Sequence, residues 1–181
     1  MQSGHEFFIH GLNDMLDAEQ QLVNALRENA NDSSRADLKR AFDQHRRETE
    51  GQIKRLEQCF NLLREQPQST KCHGIRGLIA EKKAFADEDP SEDLIDVFNV
   101  GAAIKVENYE ICEYESLVDL AREMKHTKVA QLLGQNLKQE KATLKKMEAF
   151  SERVKPNELG NEEREQKASS AARSRRQKRA A

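Results

Sequence analysis

Glu107 and Glu110 stand on the apolar stripe of the stretch Val100–Leu120, VGAAIKVENYEICEYESLVDL. Around them Val100, Ala103, Ile104, Ile111, Tyr114, Leu117, Val118 and Ala121 recur in steps of three and four, the spacing of a helix face that packs inward. A carboxylate on such a face is costly unless it is paired, protonated or bound to a cation. Two of them one turn apart are worse, because like charges disfavour each other's ionisation. The same conflict recurs elsewhere. Glu19 follows Leu12, Met15 and Leu16 and precedes Leu22, Val23 and Leu26. Glu48 lies in the seam Leu38, Ala41, Phe42, Gln52, Ile53, Leu56, Phe60, Leu63, and His45 is one turn from it on the same face. Glu140 lies among Val129, Leu132, Leu133, Leu137, Leu144, Met147 and Phe150. Hard or borderline divalent metals prefer carboxylate oxygens, and two cations offset anions that could not share a dry interior. The candidate metal ligands are therefore Glu19, His45, Glu48, Glu107, Glu110 and Glu140. The bland alternative is a solvated groove or a network closed by Arg or Lys.

Long helices must position these residues. The periodicity predicts a first helix over about 6–28, then the polar turn NANDSS, with Ser33 or Ser34 as the cap of the next helix. A second helix is expected over about 35–65. Gly51 lies inside it at a cost of about 1 kcal/mol relative to Ala, tolerable if close approach there is useful. Pro67 stops that helix, and 66–89 forms a long crossover in which Ile75, Leu78 and Ile79 mark one short amphipathic helix within 70–86. Asp89 as N-cap, Pro90 at the first position and Glu92 at the third predict the start of a helix that runs to about Met124. After the break Lys125-His126-Thr127, with Thr127 as cap, a last helix runs towards Pro156. A short link, a long crossover and a short link predict an all-α fold: an antiparallel four-helix bundle of the ferritin-like kind. HRRETEGQIKRLE around Glu48 lines up with LKQEKATLKKME around Glu140, a faint internal repeat about a pseudo-twofold axis.

Composition agrees. Few Pro, no Trp and 34% charged residues in 181 are typical of a helical bundle. Residues 164–181 carry seven Lys/Arg against Glu165, so of the net charge of -2 the remainder of the chain holds -8. The expected organisation is a bundle over 1–156 and a basic, disordered tail over 157–181, which could touch nucleic acid weakly. Three cysteines without CxxC spacing argue against a disulfide framework or a zinc knuckle and for a reducing compartment. No stretch reads as a membrane span or a signal peptide, so the reading is cytoplasmic, with no membrane partner. Cys59 and Cys112 read as small core residues and Cys72 as more exposed. Tyr109 and Tyr114 read as packing residues, and Tyr114 could hydrogen-bond a ligand carboxylate. His5, His10, His73 and His126 fall at ends or in loops.

The runs DAEQQLVNAL, FDQHRRETEGQIKRLEQCF, CHGIRGLIAE, KVENYEICEYESL and LLGQNLKQEKATLKKM resemble the YciE/YciF family of bacterial ferritin-like stress proteins over roughly residues 6–152. The resemblance implies a ferritin-like domain, a homodimer and the bacterial cytoplasm. In the wider rubrerythrin-like group the site uses a Glu on the first helix, matched by Glu19, and Glu-x-x-Glu on the third, matched by Glu107 and Glu110. It uses Glu-x-x-His on the second and fourth, where Glu48 and Glu140 match the Glu but Gly51 and Thr143 stand at the His positions. No rubredoxin-type Cys pair is present.

Two functions compete on these grounds. One is a di-metal stress-response protein, holding two iron or manganese ions and no organic cofactor, that oxidises Fe(II) or consumes peroxide. In it Glu48 and Glu140 bridge the metals, Glu19 and Glu107 are terminal, and Glu110 or His45 completes the set. The other is a non-catalytic dimeric structural or stress protein that keeps the fold without a working site.

Overall fold

In the computed structural model, residues 2–153 are described. The predicted basic tail over 157–181, and Pro156, lie outside them. Among the described residues the chain is entirely helical: α1 Gly4–Asp32, α2 Ala36–Leu63, α3 His73–Ala86, α4 Glu92–Glu123 and α5 Thr127–Arg153. Helix α1 packs on α2, α2 on α5, α5 on α4 and α4 on α1, so the four long helices close a ring around a shared interior. Helix α3 lies outside the ring against α4 and α1. No described helix is long and apolar enough to cross a membrane.

The stripes fold inward for the reason the spacing suggests. Leu12, Met15, Leu16, Leu22 and Leu26 of α1, Leu38, Phe42, Leu56 and Phe60 of α2, Leu117 and Val118 of α4, and Leu133 and Met147 of α5 are all buried. Their burial is what stabilises helices of this length, since helix propensity alone contributes little in water.

Three links differ from expectation in their chemistry. Ser33 closes α1 rather than opening α2: its N–H and its Oγ both donate to Asn29 O. Helix α2 has Arg35 at its N-cap without a side-chain cap, and α4 supplies one instead. Asp96, itself buried, accepts from Ser34 N at 3.0 Å, Ser34 Oγ at 2.6 Å and Arg35 N at 3.2 Å. A carboxylate at a helix N-terminus satisfies orphan donors and opposes the helix dipole. At the other junction Asp89 is left-handed (φ 55°) rather than an N-cap, and α4 starts after Ser91. Arg64 and Lys125 are also left-handed, and each ends its helix. Glu65 N donates to Phe60 O and His126 N to Ala121 O, the six-to-one bond that satisfies a terminal carbonyl.

Helix α3 is held by its apolar face, with Ile75 fully buried and Leu78 and Ile79 partly buried against the core, and by polar contacts. Cys72 N donates to Asp17 Oδ2 at 2.8 Å, and Arg76 pairs with the same carboxylate. Cys72 Sγ lies 3.2 Å from Tyr109 Oη. Cys72 is thus buried and Cys112 exposed, the reverse of the sequence reading, because the tie to α1 pulls Cys72 inward while Cys112 falls on the outer face of α4. Burial pushes the third thiol, Cys59, up to about 12. Gly74 is required here: a Cβ would come within 2.5 Å of the Tyr109 ring. Gly51 is not required by any close approach, since a Cβ there would meet only the Arg55 guanidinium, at 3.6 Å.

Replacing Asp96 with Ala should remove all three capping contacts at once. The expected loss is about 2 kcal/mol, read in urea unfolding as a lower midpoint with an unchanged slope.

Candidate metal centre

Each long helix carries one or more acids or an imidazole into the ring. Glu107 and Glu110, one turn apart on α4, are both buried, as are Glu140 on α5, His45 on α2 and Glu19 on α1. One ligand atom from each of His45, Glu107, Glu110 and Glu140 fits within 4.8 Å of all the others. His45 Nε2 faces Glu107 Oε1 at 3.4 Å and Glu140 Oε2 at 3.8 Å. The sites follow from the stripes: the buried apolar residues along each helix fix its rotation, and the acid goes inward with them.

Neighbours hold some of these oxygens from behind. Tyr114 Oη donates to Glu19 Oε1, and Gln52 Nε2 donates to Glu140 Oε1. Asn136 Nδ2 donates to Tyr114 Oη at 2.9 Å, and Arg55 Nε donates to Asn136 Oδ1. Arg55 also donates to Gln139 Oε1. The chain Arg55–Asn136–Tyr114–Glu19 therefore runs from a partly exposed guanidinium to a fully buried carboxylate.

The remaining donor atoms are orphaned. Glu19 Oε2, both oxygens of Glu107, both of Glu110, Glu140 Oε2 and His45 Nδ1 are buried without a hydrogen-bond partner. Buried polar atoms in proteins are almost always satisfied, so such a concentration needs a cause. Burial, followed by the neighbouring carboxylates, raises Glu107 and Glu110 well above the ordinary carboxylate value. Burial and then Glu140 raise Glu19 likewise, against the Tyr114 hydrogen bond and the Arg55 charge. Burial and then Glu19 keep Tyr114 a protonated phenol, able to donate.

Glu48 is not among the converging residues. Its side chain is 21% exposed, accepts from Gln44 Nε2 at 2.9 Å, and lies 3.8 Å from Lys146 Nζ. The inward position is Thr49, which is buried. The step from His45 to Gln52 spans two turns, and both the third and fourth residues beyond His45 flank the stripe; α2 turns Thr49 in and leaves Glu48 at the edge.

The internal repeat is shifted by one residue accordingly. The buried residues Leu38, Phe42, His45, Thr49, Gln52 and Leu56 of α2 match Val129, Leu133, Asn136, Glu140, Thr143 and Met147 of α5 at one constant offset. The same offset relates Leu12, Met15 and Glu19 of α1 to Ala103, Val106 and Glu110 of α4. Glu140 is thus the counterpart of Thr49, and Glu110 of Glu19. Asn136 and Thr143 take inward places that the sequence reading left to Leu137 and Leu144, which are only half-buried. Asn136, Glu140 and Thr143 are spaced by four and three, a polar stripe that was readable once Glu140 was taken as its centre.

A family model described as a domain of unknown function, DUF892, matches residues 3–160. Protein YciF of Escherichia coli (strain K12) is 37% identical over 144 residues, 79% of this chain and 87% of YciF. The crystal structure of the E. coli stress protein YciF matches with a TM-score of 0.82 at 35% identity, over 85% of this chain and 98% of that one. YcfI of Rhodopseudomonas palustris, described as a candidate structural protein, matches with a TM-score of 0.79 at 35% identity, over 82% and 94%. A Xanthomonas campestris pv. campestris protein with a TM-score of 0.69 at 23% identity, over 91% and 99%, shares the fold. With the family model spanning most of its length and YciF this similar to it, the chain belongs to the DUF892 family, that of the YciE/YciF proteins.

Proposed function

We propose that this is a ferritin-like protein, an antiparallel four-helix bundle with α3 in its crossover, that holds two divalent cations among Glu19, His45, Glu107, Glu110 and Glu140. The observation that carries the reading is the set of orphaned donor atoms on these residues, of which His45, Glu107, Glu110 and Glu140 converge within 4.8 Å while Glu19 is buried on α1 within electrostatic reach of Glu140. Four ionised carboxylates carry a charge of -4, which two divalent ions neutralise. An oxygen-rich set with one imidazole suits iron, with manganese second. Iron bound there would supply electrons to peroxide or oxygen, so that the protein oxidises Fe(II) or consumes peroxide.

The chain's own residues prepare the site. Tyr114 and Gln52 each fix one oxygen, of Glu19 and of Glu140, and leave the second without a protein partner. Arg55, held by Asn136 and Gln139, favours the charged form of Glu19 through its positive field. Glu48, at the edge beside Lys146, is not a ligand in this arrangement. The family resemblance supports a homodimer in the bacterial cytoplasm and a role in stress.

A second reading has its own observation. Burial raises Glu19, Glu107 and Glu110 well above the ordinary carboxylate value and so favours their neutral forms, which is what a non-catalytic scaffold without metal needs. The two readings separate in thermal melts of chelator-treated protein with Fe(II) (anaerobic), Mn(II) or Zn(II). Metal at a hundredfold over its Kd should raise Tm by about 5–10 °C. Glu107→Gln should weaken that shift and yet raise the Tm of the metal-free protein, since it removes an uncompensated buried acid. Melts indifferent to metal, with Glu107→Gln destabilising, would favour the scaffold.

A second prediction concerns pH. Glu19, Glu107 and Glu110 have folded values raised above the ordinary 4.5, so the folded state holds protons that the unfolded state releases. Their contribution to stability is complete below 4.5 and is lost as pH rises through the raised values. Metal-free protein should therefore lose stability as pH rises above 4.5 in urea titrations. With metal, binding displaces protons, so the metal-induced gain should grow over the same rise in pH.

A further inference from the structure

A cavity of about 420 Å³ lies between α1, α3 and α4, within the size range of small-molecule sites. Its walls are apolar: Leu22, Leu26, Leu78, Ile79, Ala103 and Val106. His45 and Glu107, both buried, also line it. His45 Nδ1 and both Glu107 oxygens have no hydrogen-bond partner. The charged residues at the rim cancel, with Lys82 and Lys83 against Glu28 and Asp32. Lys82 Nζ pairs with Asp32 Oδ2 at 2.9 Å, so α3 is pinned across the cavity to the end of α1.

We propose that this cavity binds a small neutral molecule with an apolar body and one oxygen at its end, the oxygen reaching His45 and Glu107. A ligand of this kind would bury its body against the leucine, isoleucine and valine side chains and give the orphaned atoms a partner. An anionic head would have to leave water to pass apolar walls and would end against the carboxyl group of Glu107. Such a molecule would meet the acidic cluster at its polar end. Its role as a substrate rests on the metal-site reading above, whereas its binding does not.

The test uses the full chain stripped of metal, with 1-alkanols as probes and NMR as the readout. The methyl groups of Leu22, Leu26, Ile79 and Val106 should show NOEs to bound 1-octanol, and the His45 imidazole ¹⁵N resonances should shift. Affinity should rise about fourfold per methylene from 1-hexanol upward until the cavity is full. Octanoate should bind at least tenfold more weakly than 1-octanol. Ala102→Phe and Ala25→Phe, at half-buried lining positions, should each abolish the NOEs. Two variants guard against one failing to fold, and native melting of either qualifies it. No saturable octanol binding, equal or better binding of octanoate, methyl responses without a His45 shift, or unchanged binding in a folded Phe variant would each overturn the proposal. Metal-dependent melting is measured in the same variants. Octanol binding without any metal effect would sink the di-metal reading alone, and a metal effect without octanol binding would sink the cavity proposal alone.

Discussion

The interior of this ring of helices has to hold four carboxyl groups and an imidazole at close quarters, and the surrounding structure is arranged about that constraint. Apolar layers lie one turn to either side, with Leu12 and Met15 before Glu19 and Leu22 and Leu26 after it. They exclude water, and exclusion makes each unpaired oxygen expensive. Residues that can soften the cost are placed behind the acids: a tyrosine, a glutamine and an arginine–asparagine pair. They reach only some of the oxygens. The interior therefore favours protons or cations beside its acids.

The two halves of the chain contribute unequally to that interior. At a constant offset, α1 and α2 match α4 and α5, yet Thr49 stands opposite Glu140 in the repeat, and His45 opposite Asn136. The symmetry is kept in the packing and broken in the chemistry. One result is that Glu140 draws its hydrogen bond from Gln52 of the other half, while Glu19 draws its own from Tyr114. Each half thus holds an acid of the other. Cutting either pair of helices away would strand buried carboxyl groups, which couples the cohesion of the fold to the site itself.

Helix α3 belongs to a different level of the structure. Its apolar side chains Ile75, Leu78 and Ile79 pack on the ring, and ion pairs and hydrogen bonds to Asp17, Asp32 and Tyr109 add to that hold. Exposed ion pairs contribute little each. It is this element that covers the apolar cavity leading to His45 and Glu107.

The sequence by itself determined that the chain is helical, where the long helices lie, and that Glu19, Glu107, Glu110 and Glu140 go inward. Steps of three and four carry that information, because a helix face is a local property of the chain. It also marked His45, and it marked the crossover by Pro67 and the short apolar pattern at Ile75, Leu78 and Ile79. Only the tertiary structure decided between Glu48 and Thr49. Adjacent residues at the edge of a stripe differ by a rotation of the helix, and the rotation is set by how α2 seats against α1 and α5. The same holds for Asn136 and Thr143 against Leu137 and Leu144. The cap of α2 by Asp96, the burial of Cys72, and the hydrogen bonds from Tyr114 and Gln52 join residues far apart in the chain. No local pattern records them, because they exist only once the helices have met.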